Sequence, residues 1–455
     1  MKNFLKSYNV FTVLFIAIIV LTIVCTPLFG MSDLSEYTSV FKNIGLYNIS
    51  DNPINVSECY GISGTANPTS LFELIIVLII GLNKLVLSGS VFNIHFLGCT
   101  YSIIFILSLY FLQKNLRFNK DYLNYGFSVL LGIVFLDLGY IAYFNSFYSE
   151  AMIFVLVIAM TSLAVSVAHK WSYVKIVLFA FMACVLACMR FSAAVTALVA
   201  AAALLVIGFA DKGKSRVVCS ILAVIVAATS VFSMLNPYTS ARDVKLYNRV
   251  YKDLATTSDT ALSELGIADR TVPENPTVED MSAAVSGLTY GDICNYYVNH
   301  PGKFMDDAES AINNSYFLIQ EFAPYKQTGD YYGIREYTAP KIWNFLKKIL
   351  PPKGALPIFI IIFAYLGIAI REFLRTKKLG DTAKSRMAMF AIILPVGALA
   401  EFVSTVITTG TILISKNMFT FGVYFDLMFI TAIMWVACTL LARREAIKAK
   451  YGVKQ

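Results

Sequence analysis

The sequence predicts an all-α polytopic membrane protein, and three observations carry that reading. The composition is 57% hydrophobic and only 15% charged. Apolar runs of about 18 or more residues, the length that spans a bilayer as helix, recur along the chain. Lysines and arginines gather in short loops between those runs, as the positive-inside rule demands of cytoplasmic loops. The net charge of +8 over 455 residues therefore reports topology and points to no nucleic-acid partner.

Each element follows in turn. The run 10–29 comes after Lys2 and Lys6, ends in "TPLFGM" and lacks a small-residue cleavage site, so it reads as a retained first helix rather than a signal peptide. Basic loops fix one side of the membrane: Lys114, Arg117 and Lys120; His169, Lys170 and Lys175; Lys212, Lys214 and Arg216; Arg371 through Arg386; and the tail from Arg443 to Lys454. The segment from Met31 to Ser70, with Asp33, Glu36, Asp51 and Glu58 against Lys42, then lies on the outer side. An odd number of crossings must lead from there to Lys114, yet two runs, 71–88 and 93–113, compete for the place. The first is interrupted by Glu73, Gly81, Asn83 and Lys84, and charge parity makes it an in-plane or re-entrant helix. Further spans are expected at 124–143, 151–168, 175–189, 191–210, 217–235, 354–370, 387–408 and 420–441. With 10–29 and 93–113 they make ten crossings with both termini cytoplasmic.

Three regions result: a transmembrane module with outer loops over 1–235, a large extracytoplasmic loop domain over 236–353, and the last spans with a basic tail over 354–455. The loop domain is polar and ends in "PKIWNFLKKIL". Ile342, Trp343, Phe345, Leu346, Ile349 and Leu350 are expected to face lipid there while the lysines face water, so a small helical domain would rest on the membrane. Cys25, Cys99, Cys184, Cys188, Cys219 and Cys438 fall in apolar runs, as small buried thiols do. Cys59 and Cys294 fall in polar loops on one side, which leaves a disulfide between them open. No Cys or His cluster has metal-ligand spacing, and His95, His169 and His300 stand far apart. The sequons at Asn48, Asn55 and Asn313 have meaning only on a eukaryotic secretory route.

A carboxylate at a membrane surface is costly to desolvate, so it is solvated, paired or put to use. Three outer elements supply charges of this kind. Asp33 and Glu36 follow the first helix, Glu150 sits among the aromatics of "YFNSFYSEAM", and Arg190 lies between two apolar runs in "CMRFSAAV". Singly, each acid reads equally well as a solvated loop residue, and Arg190 as a cation snorkelling to the interface. Together they offer acids for a general base or a metal, a cation for a phosphate, and Tyr148, Phe147 and their neighbours for an amphipathic ligand.

The order of these pieces resembles the GT-C polytopic glycosyltransferases that use polyprenyl-phosphate sugars, the bacterial envelope hexose transferases above all, and more distantly protein O-mannosyltransferases and aminoarabinose transferases. "SDLSEYTSVFKNIGLY" is similar to that family's acidic first outer loop, with Asp33 or Glu36 in the catalytic place and Tyr37 beside it. "NPTSLFELIIVLIIGLNKLVLSG", which includes Lys84, looks like its proline-led segment lying along the membrane. "FYSEAMIFVLV" resembles the acid that opens a helix after the second outer loop, here Glu150, and "LACMRFSAAVTALV" places Arg190 where the family carries a cation. "DICNYYVNHPGKFMDDAESAINNSY" resembles the "FYLEHPGKYL" run. Two departures stand out: "SKNMFTFGVYFDLMF" offers Lys416 where many relatives carry an Arg-Tyr pair, and the first loop lacks a clean Asp-Glu pair.

The resemblance implies a fold of about ten transmembrane helices with in-plane helices and a small extracytoplasmic helical region. It implies an inverting hexosyltransferase in the bacterial plasma membrane, with Glu36, Asp33 and Glu150 as catalytic residues. Arg190, Lys84 and Lys416 would bind the donor phosphate, and Tyr37, Tyr148 and Phe147 would line the acceptor or lipid cavity. A polyprenyl-phosphate sugar donor, a glycan, lipid or protein acceptor and membrane lipids would be the partners. An activated donor needs no cofactor and no covalent intermediate, and a divalent cation, Mg or Mn, near Glu150 is compatible with the pattern. The alternative is a multi-pass transporter or a flippase for lipid-linked sugars, which Asp137 and Glu401 inside apolar runs keep open. An intramembrane acyltransferase would need a catalytic His, for which only His95 is a candidate.

Overall fold

The structure, a computed structural model, describes residues 6–25, 29–31, 37–49, 59–87, 89–210, 213–235, 239–258, 260–267, 276–315, 322–324, 341–350, 354–412 and 414–451. The helices that build the bundle are α1 (Ser7–Ile19, continued by a π-helical turn Val20–Val24), α2 (Tyr37–Ile44), α3 (Leu71–Leu87), α4 (His95–Asn115), α5 (Asp121–Phe135), α6 (Leu138–Ile141), α7 (Ser149–His169), α8 (Tyr173–Ala187), α9 (Phe191–Ala210) and α10 (Lys214–Leu235). A set of short helices follows: α11 (Thr239–Tyr247), α12 (Ala255–Thr257), α13 (Ala261–Glu264), α14 (Val278–Ala284), α15 (Tyr290–Asn299), α16 (Pro301–Ser315) and α17 (Ile342–Ile349). The chain closes with α18 (Ala355–Lys378), α19 (Thr382–Thr409), α20 (Ile414–Asn417) and α21 (Phe419–Tyr451).

Among the described residues, eight helices are long and apolar enough to cross a membrane, so the all-α polytopic class holds. The two other expected spans are also helical, but neither is a straight crossing of full length. Residues Asp121–Phe135 and Leu138–Asn145 meet at a 57° bend. The cause is Asp137, whose carboxylate accepts from Gly139 N and caps α6 instead of letting α5 continue. Helix α8 has 15 residues, about 22 Å at 1.5 Å per residue, which is short of a 30 Å hydrocarbon core. The run 71–88 forms α3, opened by a capping box: Ser70 Oγ accepts from Glu73 N at 3.1 Å, and the Glu73 carboxylate accepts from Ser70 N at 3.2 Å and Thr69 N at 2.7 Å. Asn83 donates to Val91 O and accepts from Asn93 N, which ties the far end of α3 to the strand before α4. Two of the polar interruptions in this run are thus structural clasps.

The helical fold also includes a few short strands that the sequence reading did not name. Two small antiparallel sheets stand at the end of the bundle opposite the basic loops: β1 (Phe29–Met31) with β5 (Phe322–Pro324), and the order β2 (Leu46–Asn48), β3 (Cys59–Ile62), β4 (Val91–Asn93). Extended loop backbone must pair its N–H and C=O groups when it is packed, and short strands do so. Neither Cys59 nor Cys294 forms a disulfide.

One correction concerns α17. Trp343 and Lys347, expected at lipid and water, are both buried. Trp343 Nε1 donates to Asp426 at 2.6 Å, Lys347 Nζ lies 2.9 Å from the same carboxylate, and Tyr140 donates to it at 2.5 Å. Asp137 accepts from the N–H groups of Trp343 and Asn344 at 2.9 and 3.1 Å. The two carboxylates at the α5–α6 bend and on α21 therefore turn one edge of α17 inward, while Ile342, Phe345, Ile349 and Leu350 remain exposed as an apolar face.

Candidate functional site

The site grows from the turn that carries "YFNSFYSEAM". Gly98 of α4 has no side chain, and a β-carbon there would run into Asn145. That space lets Asn145 reach across, its Nδ2 donating to Ile23 O at 3.0 Å and Phe29 O at 2.9 Å. The exit of the first helix is thereby clasped to the turn before α7. Phe147 meets Phe41 and Tyr60 edge-on, both at 5.0 Å, and Tyr143 packs on Phe419 at 4.4 Å and on Tyr148 at 6.2 Å. The aromatics of this turn form the hub on which the first loop, β3 and the start of α21 meet.

Beneath the hub lies a buried ionic cluster drawn from five elements. Glu150, in the first turn of α7, is 2% exposed, and Glu401, deep in α19, is fully buried. Arg190, in the turn between α8 and α9, spans them. Its Nη1 donates to Glu150 at 2.8 Å, and its Nη2 donates to Glu401 and, at 2.9 Å, to Thr420 Oγ1. Ser192 and Thr196 of α9 add hydroxyl donors to the two oxygens of Glu401, at 3.0 and 3.1 Å. Arg190 Nε has no hydrogen-bond partner. Lys416 of α20 is buried too, with Nζ 3.9 Å from the centroid of the Tyr148 ring, where the negative face of an aromatic attracts a cation.

Of the residues singled out from sequence, the structure brings together Glu150, Arg190, Lys416, Tyr148 and Phe147 at one end of the bundle. It engages Arg190 with two carboxylates and seats Lys416, also buried, over the Tyr148 ring. Lys84 projects from α3, exposed. Tyr37 heads α2, with its side chain outside the described residues, and Asp33 and Glu36 lie outside them as well. Glu401 was read from sequence only as a lone acid in an apolar run. Its role shows once Ser192 and Thr196, one helical turn apart in "FSAAVT", turn their hydroxyls toward it. Thr420 carried no signal. The described residues around Glu150 do not assemble a donor set for a divalent cation.

Eight apolar helices with buried ion clusters at their loop end define an integral, multi-pass membrane protein. The chain belongs to the family described as the YfdI N-terminal transmembrane domain, whose model matches residues 1–454. No curated protein and no solved structure matches it.

Proposed function

We propose that this chain is a GT-C-type membrane glycosyltransferase that moves a sugar from a polyprenyl-phosphate donor to an acceptor hydroxyl on the outer face of a bacterial plasma membrane, for envelope glycan or glycoconjugate synthesis. The observation that carries the reading is the convergence of Glu150, Arg190, Glu401 and Lys416 beneath an aromatic hub clasped to the first outer loop. In the proposed mechanism Asp33 or Glu36 takes the proton of the acceptor hydroxyl, which attacks the anomeric carbon as the polyprenyl phosphate leaves with inversion. Negative charge grows on the leaving phosphate, and a preorganised cation in a dry site stabilises it strongly. Lys416, seated on Tyr148, is best placed for that task. Arg190 holds Glu150 and Glu401 in position and offers Nε, while Tyr148 and Phe147 flank the amphipathic ligand. Both termini would then be cytoplasmic.

The geometry favours this over transport because the two intramembrane acids that kept a transporter in view are satisfied. Asp137 caps α6 and accepts from α17, and Glu401 accepts from Arg190, Ser192 and Thr196. The test is transfer of radiolabelled sugar from a panel of polyprenyl-phosphate sugars by purified protein in lipid, with Asp33→Asn, Glu36→Gln, Glu150→Gln and Lys416→Met beside wild type. Donor turnover that disappears in one first-loop variant supports the reading and names the base. Translocation of labelled lipid or solute with no donor consumed overturns it.

A further inference from the structure

At the opposite, basic end of the bundle a cavity of about 480 Å³ opens between α5, α7, α8, α18, α19 and α21. That volume lies within the range of about 300–1,000 Å³ typical of ligand sites. Its wall on α19 runs from Lys384 to Leu394, about 15 Å of helix, or roughly half the ~30 Å hydrocarbon core. Most polar groups on the wall are already answered, and Tyr424 and Trp435 add one hydroxyl and one indole N–H to it. Tyr365 bonds Thr431 across the cavity wall at 2.9 Å, while Thr161 and Thr376 donate to carbonyls of their own helices. A polar solute would find few open partners in such a space.

Charge is confined to the rim. Glu372 and Lys384 line the mouth, and between residues 371 and 386 six lysines and arginines stand against Glu372 and Asp381. Lys384 and Arg375 are largely exposed there, each sharing its charge with a neighbour on the same segment. Arg386, on the same stretch, stacks over Trp171 at 4.8 Å, an aromatic of the kind that marks a membrane interface.

We propose that this cavity is a binding site for one anionic phospholipid of the basic-end leaflet, with an acyl chain in the apolar slot and the phosphate at the Lys384 rim. Three features select that occupant: a depth of about one leaflet, a mostly apolar wall with few open polar partners, and the net basic segment 371–386 at its mouth. A zwitterionic headgroup carries the same phosphate together with a quaternary ammonium that the basic segment disfavours, and basic residues near a membrane surface contribute about 1 kcal/mol each toward anionic lipid. The site is at the far end of the bundle from the Arg190 cluster, so the inference does not depend on the transferase reading.

The experiment is native mass spectrometry of the full chain, extracted from bilayers of equal phosphatidylglycerol and phosphatidylcholine with matched acyl chains. One phosphatidylglycerol retained per chain, at about tenfold preference, is the expected result. Ala388→Trp, which fills the slot, should abolish retention, the milder Ala432→Leu should weaken it, and Lys384→Glu should erase the headgroup preference while a lipid still binds. Equal retention of the two lipids, retention unchanged in both slot-filling variants, or a co-purified polyprenyl phosphate in place of phospholipid overturns the proposal. Thermal midpoints of the variants separate loss of lipid from loss of fold.

Discussion

Arg249 and Arg190 are each buried between two carboxylates, yet the surroundings of the two differ. Arg249 is fully enclosed and donates to Asp253, Asp307 and Tyr297, all within the loop domain, and Lys303 completes the cluster 2.5 Å from Asp307. Asp253 in turn accepts from Thr411 N and Oγ1 at 2.8 and 3.0 Å, so this cluster rivets the loop domain onto the turn between α19 and α20. Arg190 is 10% exposed, draws its carboxylates from helices that are far apart in sequence, and lies in the same end of the bundle as a buried lysine on an aromatic ring. An enclosed ion cluster with every charge matched locally is a fastener. One assembled from distant helices, beside a buried lysine seated on an aromatic ring, can meet a ligand.

That contrast can be broken or sharpened by measurement, and the largest effect belongs to the fastener. Arg249→Ala leaves Asp253 and Asp307 buried without their cation, and should cost about 3–5 kcal/mol of stability. Unfolding in detergent or nanodiscs reads it, and a loss below about 1 kcal/mol would show that the cluster is not the rivet described here. Glu401→Gln keeps the shape of the site and removes one charge. Sugar transfer should fall by up to roughly 100-fold, as a misplaced Arg190 and Glu150 can cost, while the thermal midpoint moves less than in Arg249→Ala. The reverse ordering would make the Arg190 cluster a second fastener. Lys416→Met should raise the KM for the lipid donor about tenfold or more, since hydrogen bonds to a charged group contribute about 1.5–3 kcal/mol. An unchanged donor KM removes Lys416 from phosphate binding.

A smaller effect comes from the turn the fastener holds. Gly410 has φ +56°, and a β-carbon there would collide with Asp253 and Arg249. Gly410→Ala should therefore cost about 1–3 kcal/mol and also reduce donor affinity, because the displaced turn leads directly to Lys416. Stability lost with donor binding intact would uncouple the two. The smallest expected effect is a pH dependence. Glu264 is held below its ordinary carboxyl value by hydrogen bonds from His300 and Thr260. The folded value is depressed, so its contribution is present above about pH 4.5 and is lost as pH falls through the lowered value. Glu264→Gln should flatten the acid limb of the unfolding curve slightly below pH 4.5, and superimposable curves would show that the His300 contact contributes nothing.

Much of this architecture was legible in the residues themselves. Bilayer-length apolar runs and the basic loops between them predicted every long helix, because those signals come from the solvent and need no partner, and residues 71–88 form the 17-residue helix α3. Asp137 was read from sequence only as an acid inside an apolar run, and the structure shows it capping α6 at the bend. Glu150 and Arg190 were chosen together as outer-side charges costly to desolvate, and Lys416 by its place in the family pattern.

What remained was decided only by the tertiary structure. That Arg190 answers Glu150 and Glu401, that Lys416 lies on Tyr148, and that Trp343 and Lys347 turn inward to Asp426 depend on elements separated by up to 268 residues meeting at one depth. A buried charge announces its need for a partner in the sequence. Which partner meets that need is set by packing geometry, because ion pairing falls steeply with distance and the chain carries many acids and bases of equal chemistry.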